Sequence, residues 1–415
     1  MSGTSIGSGA IVVTGIGVMT SLGCSRTDFW DNLVQGRSGV RRIRAFDPSG
    51  HLSQIAAEIT DFDPEAYLTR KQARRMARVS QLAASAAVEA VQDAGLELAQ
   101  HDPARVGCII GSAAGDYTFL EEQHQRFLQR GPGSINPLAV PKIIPNMPAA
   151  NAAIVLGITG PNLGPCAACA TGAYALGMAL DMLRCGRADV LLAGGAESTI
   201  TPLVVDAYGC MSVLSQRNGE PERASRPFDA ERDGFVIGEG AGVLVLETME
   251  HARSRGAEPL AVLAGCGMTS DAYSIALPEP DGRWAARAME LALADAELAP
   301  EDVGYINAHG TSTKANDRIE ALAINRVFGH RRVPVSSSKS MLGHTLGAAG
   351  AIEAAATALA LYHGVLPPTI NYENVDSECD LDVVPNTARR QDIKAALSNA
   401  FGFGGQNAVV AFRRI

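Results

Sequence analysis

The sequence predicts an α/β protein made of two internally similar halves, and three observations carry that prediction. Near-continuous apolar strands such as Asp189-Val-Leu-Leu-Ala-Gly194 and Val243-Leu-Val-Leu-Glu247 indicate sheets covered on both faces. Segments of the first part of the chain recur in the same order in the second, the mark of duplicated structure. Two helices built almost wholly of small and apolar residues, Gly172 to Gly186 and Gly350 to Gly364, belong where backbones approach closely.

In chain order, Met1–Ala10 reads as a short flexible lead-in with no secretory signal. Val12-Val-Thr-Gly-Ile-Gly-Val-Met-Thr-Ser21 is a strand carrying Gly-x-Gly, echoed by Val262-Leu-Ala-Gly-Cys-Gly-Met-Thr-Ser270. Ala90-Val-Gln-Asp-Ala-Gly-Leu96 leads to the strand Val106-Gly-Cys-Ile-Ile110, as Ala292-Leu-Ala-Asp-Ala-Glu-Leu298 leads to Val303-Gly-Tyr-Ile-Asn307. The predicted halves are 1–258 and 259–415, sharing central helices. The first is longer, and its extra segments near 116–160 and 197–240 are candidates for dimerisation and pocket shaping. A dinucleotide site is not supported: Gly15-Ile-Gly17 lacks the third glycine and the later ribose-binding acid. Gly238-Glu-Gly-Ala-Gly242 precedes a strand, the wrong context for cradling phosphate.

With 415 residues, 47% hydrophobic and 19% charged, the chain can bury a large core. No apolar run reaches the roughly 18 residues of a membrane span, which points to a cytoplasmic protein. A net charge of −9 argues against general nucleic-acid binding but leaves room for a local basic patch. The eight cysteines form one CxxC, Cys166 and Cys169, so neither structural zinc nor disulfides are expected. Cys24, Cys108, Cys185, Cys210, Cys266 and Cys379 read as small buried hydrophobes.

The candidate nucleophile is Cys169 in Gly164-Pro-Cys-Ala-Ala-Cys-Ala-Thr-Gly172, at the start of the small-residue helix that Cys185-Gly186 ends. Unpaired N–H groups at a helix start lower a thiol's pKa and can hold an oxyanion. A core cysteine, or Cys166 as the reactive thiol, is the alternative. His309 in Asn307-Ala-His-Gly-Thr-Ser-Thr313 and His344 in Lys339-Ser-Met-Leu-Gly-His-Thr345 both lie beyond carboxyl ends of strands, where open α/β sheets place ligands. Two neutral imidazole N–H donors suit the enolate formed when a malonyl thioester loses carbon dioxide, each worth roughly 3 kcal/mol in a preorganised site. Lys339 and Glu353 are spaced to pair beside them. Thr311 and Thr313 offer hydroxyls to a pantetheine arm. Phe403 in Gly402-Phe-Gly-Gly405 suits a gate or a simple turn. The other six histidines read as surface residues.

Together these segments resemble the β-ketoacyl-[acyl-carrier-protein] synthases, synthase II type, from about Ile11 to Ile415. The resemblance rests on Val13-Thr-Gly-Ile-Gly17, Ala168-Cys-Ala-Thr-Gly172, Arg226-Pro-Phe-Asp-x-x-Arg-Asp-Gly-Phe235, the two histidine segments, Gly347-Ala-Ala-Gly-Ala-Ile-Glu353 and Gly402-Phe-Gly-Gly405. It implies a thiolase-like five-layer αβαβα fold and a homodimer. It implies Cys169 as the acylated nucleophile and His309 and His344 as the pair supporting decarboxylation and condensation. Lys339, Glu353 and Asp317 become supporting residues, and the N–H groups of Cys169 and Phe403 an oxyanion hole. The implied partner is an acyl carrier protein, whose phosphopantetheine arm leaves no further cofactor necessary.

Lys71, Arg74, Arg75 and Arg78 have helical spacing for one basic face, a docking surface for an acidic carrier protein to which Arg217 adds. Asp116-Tyr-Thr-Phe-Leu120 replaces an expected more glycine-rich, apolar stretch near the dimer interface and acyl pocket, where the resemblance makes Leu120 a substrate-binding residue and leaves chain-length preference open. Ser21, Tyr174 and Cys166 are further departures. Fatty-acid elongation is the leading reading, and a ketosynthase of a polyketide or specialised-lipid pathway the runner-up. A non-catalytic chain-length partner would not need Cys169 and both histidines. A degradative thiolase would need a second late catalytic cysteine, where only Cys379 stands.

Overall fold

The computed structural model describes Gly7 and residues 9–415; most of the lead-in expected over 1–10 lies outside the described residues. Eleven strands form one sheet: β1 (Ile11–Met19), β2 (Val106–Gly111), β3 (Asn162–Leu163), β4 (Val190–Glu197), β5 (Gly240–Thr248), β6 (Ala261–Ser270), β7 (Val303–Asn307), β8 (Pro334–Ser336), β9 (Asp382–Val383), β10 (Ala395–Gly402) and β11 (Gln406–Arg413). One half runs β1-β5-β4-β2-β3 and the other β6-β11-β10-β7-β8-β9. In each half the first two pairings are antiparallel and the rest parallel. The halves join where β1 meets β6 through Val12↔Val262 and Val13↔Ala261. This mirrored order follows the sequence echoes.

Six helices complete the layers. Outside the first half lie α1 (Arg78–Asp93) and α2 (Met147–Leu156). Between the halves lie α3 (Thr171–Arg184) and α6 (Ala349–His363); outside the second lie α4 (Arg283–Asp295) and α5 (Lys314–Phe328). α1 packs on β1, β5 and β4, α3 and α6 contact strands of both halves, and α4 packs on β6 and β11 with α5 beside it. The result is the expected αβαβα layering. Among the described residues no helix is long and apolar enough to cross a membrane.

The Gly-x-Gly echo has a packing cause. A Cβ on Gly17 would sit 1.9 Å from the Ala86 carbonyl of α1, and one on Gly267 2.0 Å from the Ala288 carbonyl of α4. Each outer helix therefore rests on bare strand backbone. The central helices meet in the same way. A Cβ on Gly172 would lie 2.5 Å from the Ala351 nitrogen, and one on Gly350 2.7 Å from the Ala173 nitrogen. Their N-terminal ends are thus held in contact, and this contact places the segments preceding both helices beside each other.

Several expectations need correction. Arg78 leaves the basic helical face, because the short helix Arg70–Arg75 stops at an extended Met76 and a new helix begins at Arg78. There its guanidinium binds both oxygens of Glu239 at 2.7 Å and the Ile59 carbonyl at 2.8 Å. Cys185 and Cys210 are exposed, since they sit at helix C-termini; Cys24 and Cys266 are half-buried, and Cys108 and Cys379 are buried as expected. His251 is no simple surface residue: it contacts the fully buried Glu247, which Thr14 and Arg255 also bind.

Candidate active site

Cys169 sits at the turn immediately before α3, buried with 8% exposure. Ala168 adopts a positive φ of 48°, a conformation an L-residue holds only when its surroundings impose it. Thr171 imposes it here: its hydroxyl donates to the Ala168 carbonyl at 2.7 Å and accepts from the Ala167 N–H at 2.8 Å. Sequence reasoning missed Thr171, although a hydroxyl in the first turn after a candidate nucleophile is a readable signal. Gly402 lies against this turn, where a Cβ would come 2.8 Å from the Ala167 oxygen. The next residue, Phe403, lines the same cavity as Cys169, and its backbone N–H favours the thiolate.

The thiol's acidity departs from expectation. Burial pushes Cys169 up to about 11, and the Lys339 charge and the Phe403 N–H only partly offset it. Position at a helix start is outweighed because the sulfur is removed from water.

His309 follows β7 and is held through its backbone. Its N–H donates to Glu320 at 2.8 Å, and the Gly310 N–H donates to the other Glu320 oxygen at 2.7 Å. His344 follows the helical turn Lys339–Leu342. Its N–H donates to the Val236 carbonyl at 2.6 Å and its carbonyl accepts from the Gly238 N–H at 2.9 Å. The two rings meet edge to face, with centroids 5.4 Å apart.

Each Nδ1 is occupied. Lys339 Nζ lies 3.3 Å from Nδ1 of His309, and the Leu346 N–H donates to Nδ1 of His344 at 3.3 Å. A nitrogen that accepts from a fixed donor carries no proton, so in each neutral ring the proton resides on Nε2. Burial, and then the Lys339 charge, holds both imidazoles well below 6.5; His344 lowers His309 further. Both are therefore neutral rings with an N–H to give.

Lys339 and Glu353 form a buried ion pair as the spacing suggested. Burial pushes Glu353 up to about 7 against the pull of Lys339. Its second oxygen is buried without a partner, as are Oδ1 of Asn307 and of Asn399. Among the described residues no group of three or more His, Cys, Asp or Glu side chains is arranged to hold a metal ion. Asp317 accepts from the Phe228 N–H at 2.8 Å and lies 3.6 Å from Arg232, on α5 with Glu320.

One cavity is lined by Cys169, His309, His344, Thr311, Thr313 and Phe403, with Tyr208 at its wall. The two threonine hydroxyls lie 2.9 Å apart. Leu120 is elsewhere, 39% exposed on the helix Tyr117–Arg130. Lys71, Arg74 and Arg75 lie with Arg70 around a separate surface hollow, and Arg217 pairs with Glu231. Cys166 is exposed, and neither it nor Cys379 lines the cavity. Glu320, Tyr208 and Phe235 were missed, because their places at the site depend on contacts far apart in sequence.

The family model for the beta-ketoacyl synthase N-terminal domain matches residues 8–252, and that for the C-terminal domain matches 260–373. The chain is 44% identical over 408 residues to the 3-oxoacyl-[acyl-carrier-protein] synthase 2 of Vibrio harveyi, covering 98% of both chains. It is 45% identical over 406 residues to the same-named protein of a Synechocystis species, covering 97% of this chain and 98% of that one. A beta-ketoacyl synthase from Burkholderia phymatum superposes with a TM-score of 0.92 at 37% identity, over 98% of this chain and 99% of the other. A type II polyketide ketosynthase, solved in complex with its acyl carrier protein, gives 0.91 at 35% identity with the same coverage.

Proposed function

The chain belongs to the beta-ketoacyl synthase family, and from that premise we propose that it extends an acyl chain by decarboxylative condensation, as a 3-oxoacyl-[acyl-carrier-protein] synthase of fatty-acid elongation. The fold is the thiolase-like one of that family. The observation that carries the reading is the convergence of one thiol and two neutral imidazole N–H donors on a single cavity.

The thiol must lose its proton as it attacks, since burial keeps it protonated at rest. Cys169 Sγ attacks the carrier's acyl thioester, the thiol proton is lost to the departing pantetheine thiolate, and the acyl group remains on sulfur. Malonyl carrier protein then enters along Thr311 and Thr313. Loss of carbon dioxide leaves an enolate whose oxygen is held by Nε2–H of His309 and of His344, and its carbon attacks the acyl carbonyl. The Cys169 and Phe403 N–H groups receive the tetrahedral oxyanion, and collapse releases 3-oxoacyl carrier protein and the thiolate, which takes a proton from water to restore the thiol. Lys339, fixed by Glu353, holds the His309 tautomer.

Carrier docking is assigned to Lys71, Arg74, Arg75 and Arg217, whose charge suits an acidic carrier. A homodimer is proposed through the 116–165 region, where the two-residue strand β3 is an exposed sheet edge and Leu120, Phe127, Leu128, Ile154 and Leu163 are exposed. Leu120 would act on the acyl pocket through that interface. The division into halves 1–258 and 259–415, and a cytoplasmic location, belong to the same reading. Incubation with acyl carrier protein thioesters of graded length, followed by intact-mass and peptide analysis, tests it. An acyl adduct on Cys169 and a two-carbon-longer 3-oxo product on adding malonyl carrier protein are expected. Absence of the adduct for every length would leave a non-catalytic partner subunit instead.

A further inference from the structure

Resting on that condensing reading, we propose that Glu197 is a positioning residue for the reaction: its buried carboxylate clamps the loop after β2 to the turn that fixes His344, and its negative charge, bound next to the cavity-lining Leu346, opposes the Cys169 thiolate. Glu197 ends β4 and is fully buried. One oxygen accepts the Ser112 hydroxyl at 3.0 Å; the other accepts the N–H of Ala113 at 2.9 Å and of Gly347 at 3.2 Å. Two segments distant in sequence from each other and from β4 therefore meet on one carboxylate.

Each segment leads to the reacting groups. Gly347 follows Leu346, the residue whose N–H occupies Nδ1 of His344 and whose φ is a strained +48°. A Cβ on Gly347 would stand 2.7 Å from the Glu197 oxygen and 2.6 Å from the Ala113 nitrogen, so the clamp closes only on glycine. The Ala113 carbonyl accepts the Cys166 thiol at 3.4 Å, three residues before the nucleophile. Pulling Glu197 away would loosen both the His344 turn and the approach to Cys169.

The charge acts on the sulfur as well. The Lys339 charge favours the thiolate and the buried Glu197 and Glu353 oppose it, while the neutral His309, His344 and Tyr208 line the cavity with the thiol. The titratable groups that feel the Glu197 charge are Tyr208 and the thiol, and next to it Ser198 leads to the bonded Glu239–Arg78 pair. Burial pushes the Glu197 carboxyl up to about 7 while its donors pull it back, so its charge changes within the working pH range. A thiol facing a carboxylate ionises less readily.

The test follows alkylation of Cys169 by iodoacetamide against pH, resolved by site with mass spectrometry, in wild type, Glu197→Gln and Glu197→Asp. Glutamine keeps an acceptor for the two N–H groups and removes the charge. Its profile is expected to shift to lower pH, with alkylation at about pH 9, where the wild-type carboxylate is fully charged, faster by about threefold or more. Aspartate keeps the charge and is expected to keep the wild-type profile while losing condensation rate. Coincident wild-type and Glu197→Gln profiles, or an equal shift in Glu197→Asp, overturn the proposal. Should Glu197→Gln fail to fold, Ser112→Ala decides: losing a donor to the carboxylate favours its neutral form, so a smaller shift in the same direction is expected, and no shift or the reverse overturns it. Alkylation needs neither carrier nor malonyl group, so its failure leaves the condensing reading intact, and failure of wild-type acylation would sink that reading alone.

Discussion

In the first half of the sheet, the loop leaving β2 presents Ser112, Ala113 and Ala114; at the matching place in the second half, the loop leaving β7 presents His309. Each loop is held by a buried carboxylate that accepts its backbone N–H groups, Glu197 in one case and Glu320 in the other. The two central helices match in the same way. α3 is preceded by Cys169, and α6 by the turn bearing His344. The scaffold is repeated and the chemistry is not. Mirrored strand order delivers loops and helix ends from both halves to one cavity, and single residues on them divide the work. A thiol is wanted once and an N–H donor twice, which is how unlike residues come to occupy like places.

The strongest way to break this comparison is to remove the thiol. Cys169→Ala is expected to abolish acyl transfer from carrier protein, read as complete loss of the acyl adduct by mass spectrometry. If the adduct moved to Cys166, the placement of the nucleophile would be wrong. The second-half residues should fail differently. His309→Ala and His344→Ala are each expected to lower carbon dioxide release from malonyl carrier protein by about 10²–10³-fold. Acylation of Cys169 should survive at least one of the two changes. Equal loss of acylation in both variants would mean that the imidazoles act as structure and not as donors.

Much of this was legible in the chain, for identifiable reasons. Cys169, His309 and His344 stand out because each sits in a glycine-rich turn next to a strand or helix whose pattern is strong. Lys339 and Glu353 could be paired because both lie near His344 in sequence. Glu320 and Glu197 could not be found so. Their partners lie in other segments, and a glutamate within an apolar run looks like any other until folding shows what it binds. Arg78 illustrates the opposite error. Its spacing suited a continuous helix, but the extended Met76 breaks the face, and the guanidinium turns inward to Glu239. The thiol's acidity was misjudged because the sequence shows the helix end but not the depth of burial.

The glycine contact between the central helices sharpens the comparison at the level of the scaffold. Alanine is favoured over glycine inside a helix by about 1 kcal/mol, so propensity alone would make Gly172→Ala and Gly350→Ala stabilising. The atoms that a new Cβ would meet are backbone nitrogens at 2.5 and 2.7 Å, which cannot turn aside, so overpacking wins. Each variant is expected to lose about 1–3 kcal/mol, measurable by denaturant titration, and by similar amounts because the contact is reciprocal. A loss confined to one of them would show that the helix crossing is not shared equally.

The smallest expected effect is the most discriminating. Burial acts with opposite signs on the two kinds of group, pushing the thiol up and both imidazoles down, so each is kept neutral. With Cys169 already acylated, single-turnover condensation should stay level as pH falls from about 8 past 6.5, the ordinary imidazole value. It should decline only well below. The sign follows from what protonation would do: a proton on Nδ1 of His309 would face the Lys339 ammonium, and one on His344 would face the Leu346 N–H. Unfolding frees both rings to take protons at their usual value, so the fold itself loses stability as pH drops below 6.5, and the rate must be read where the circular dichroism is unchanged. A half-fall at or above 6.5 in intact protein that persists in Glu353→Gln and Glu197→Gln, whose carboxyls burial pushes up to about 7, would place one imidazole in contact with water as a charged ring. The two histidines would then no longer be equivalent donors, and the division of labour between the halves would reduce to one cysteine and one histidine.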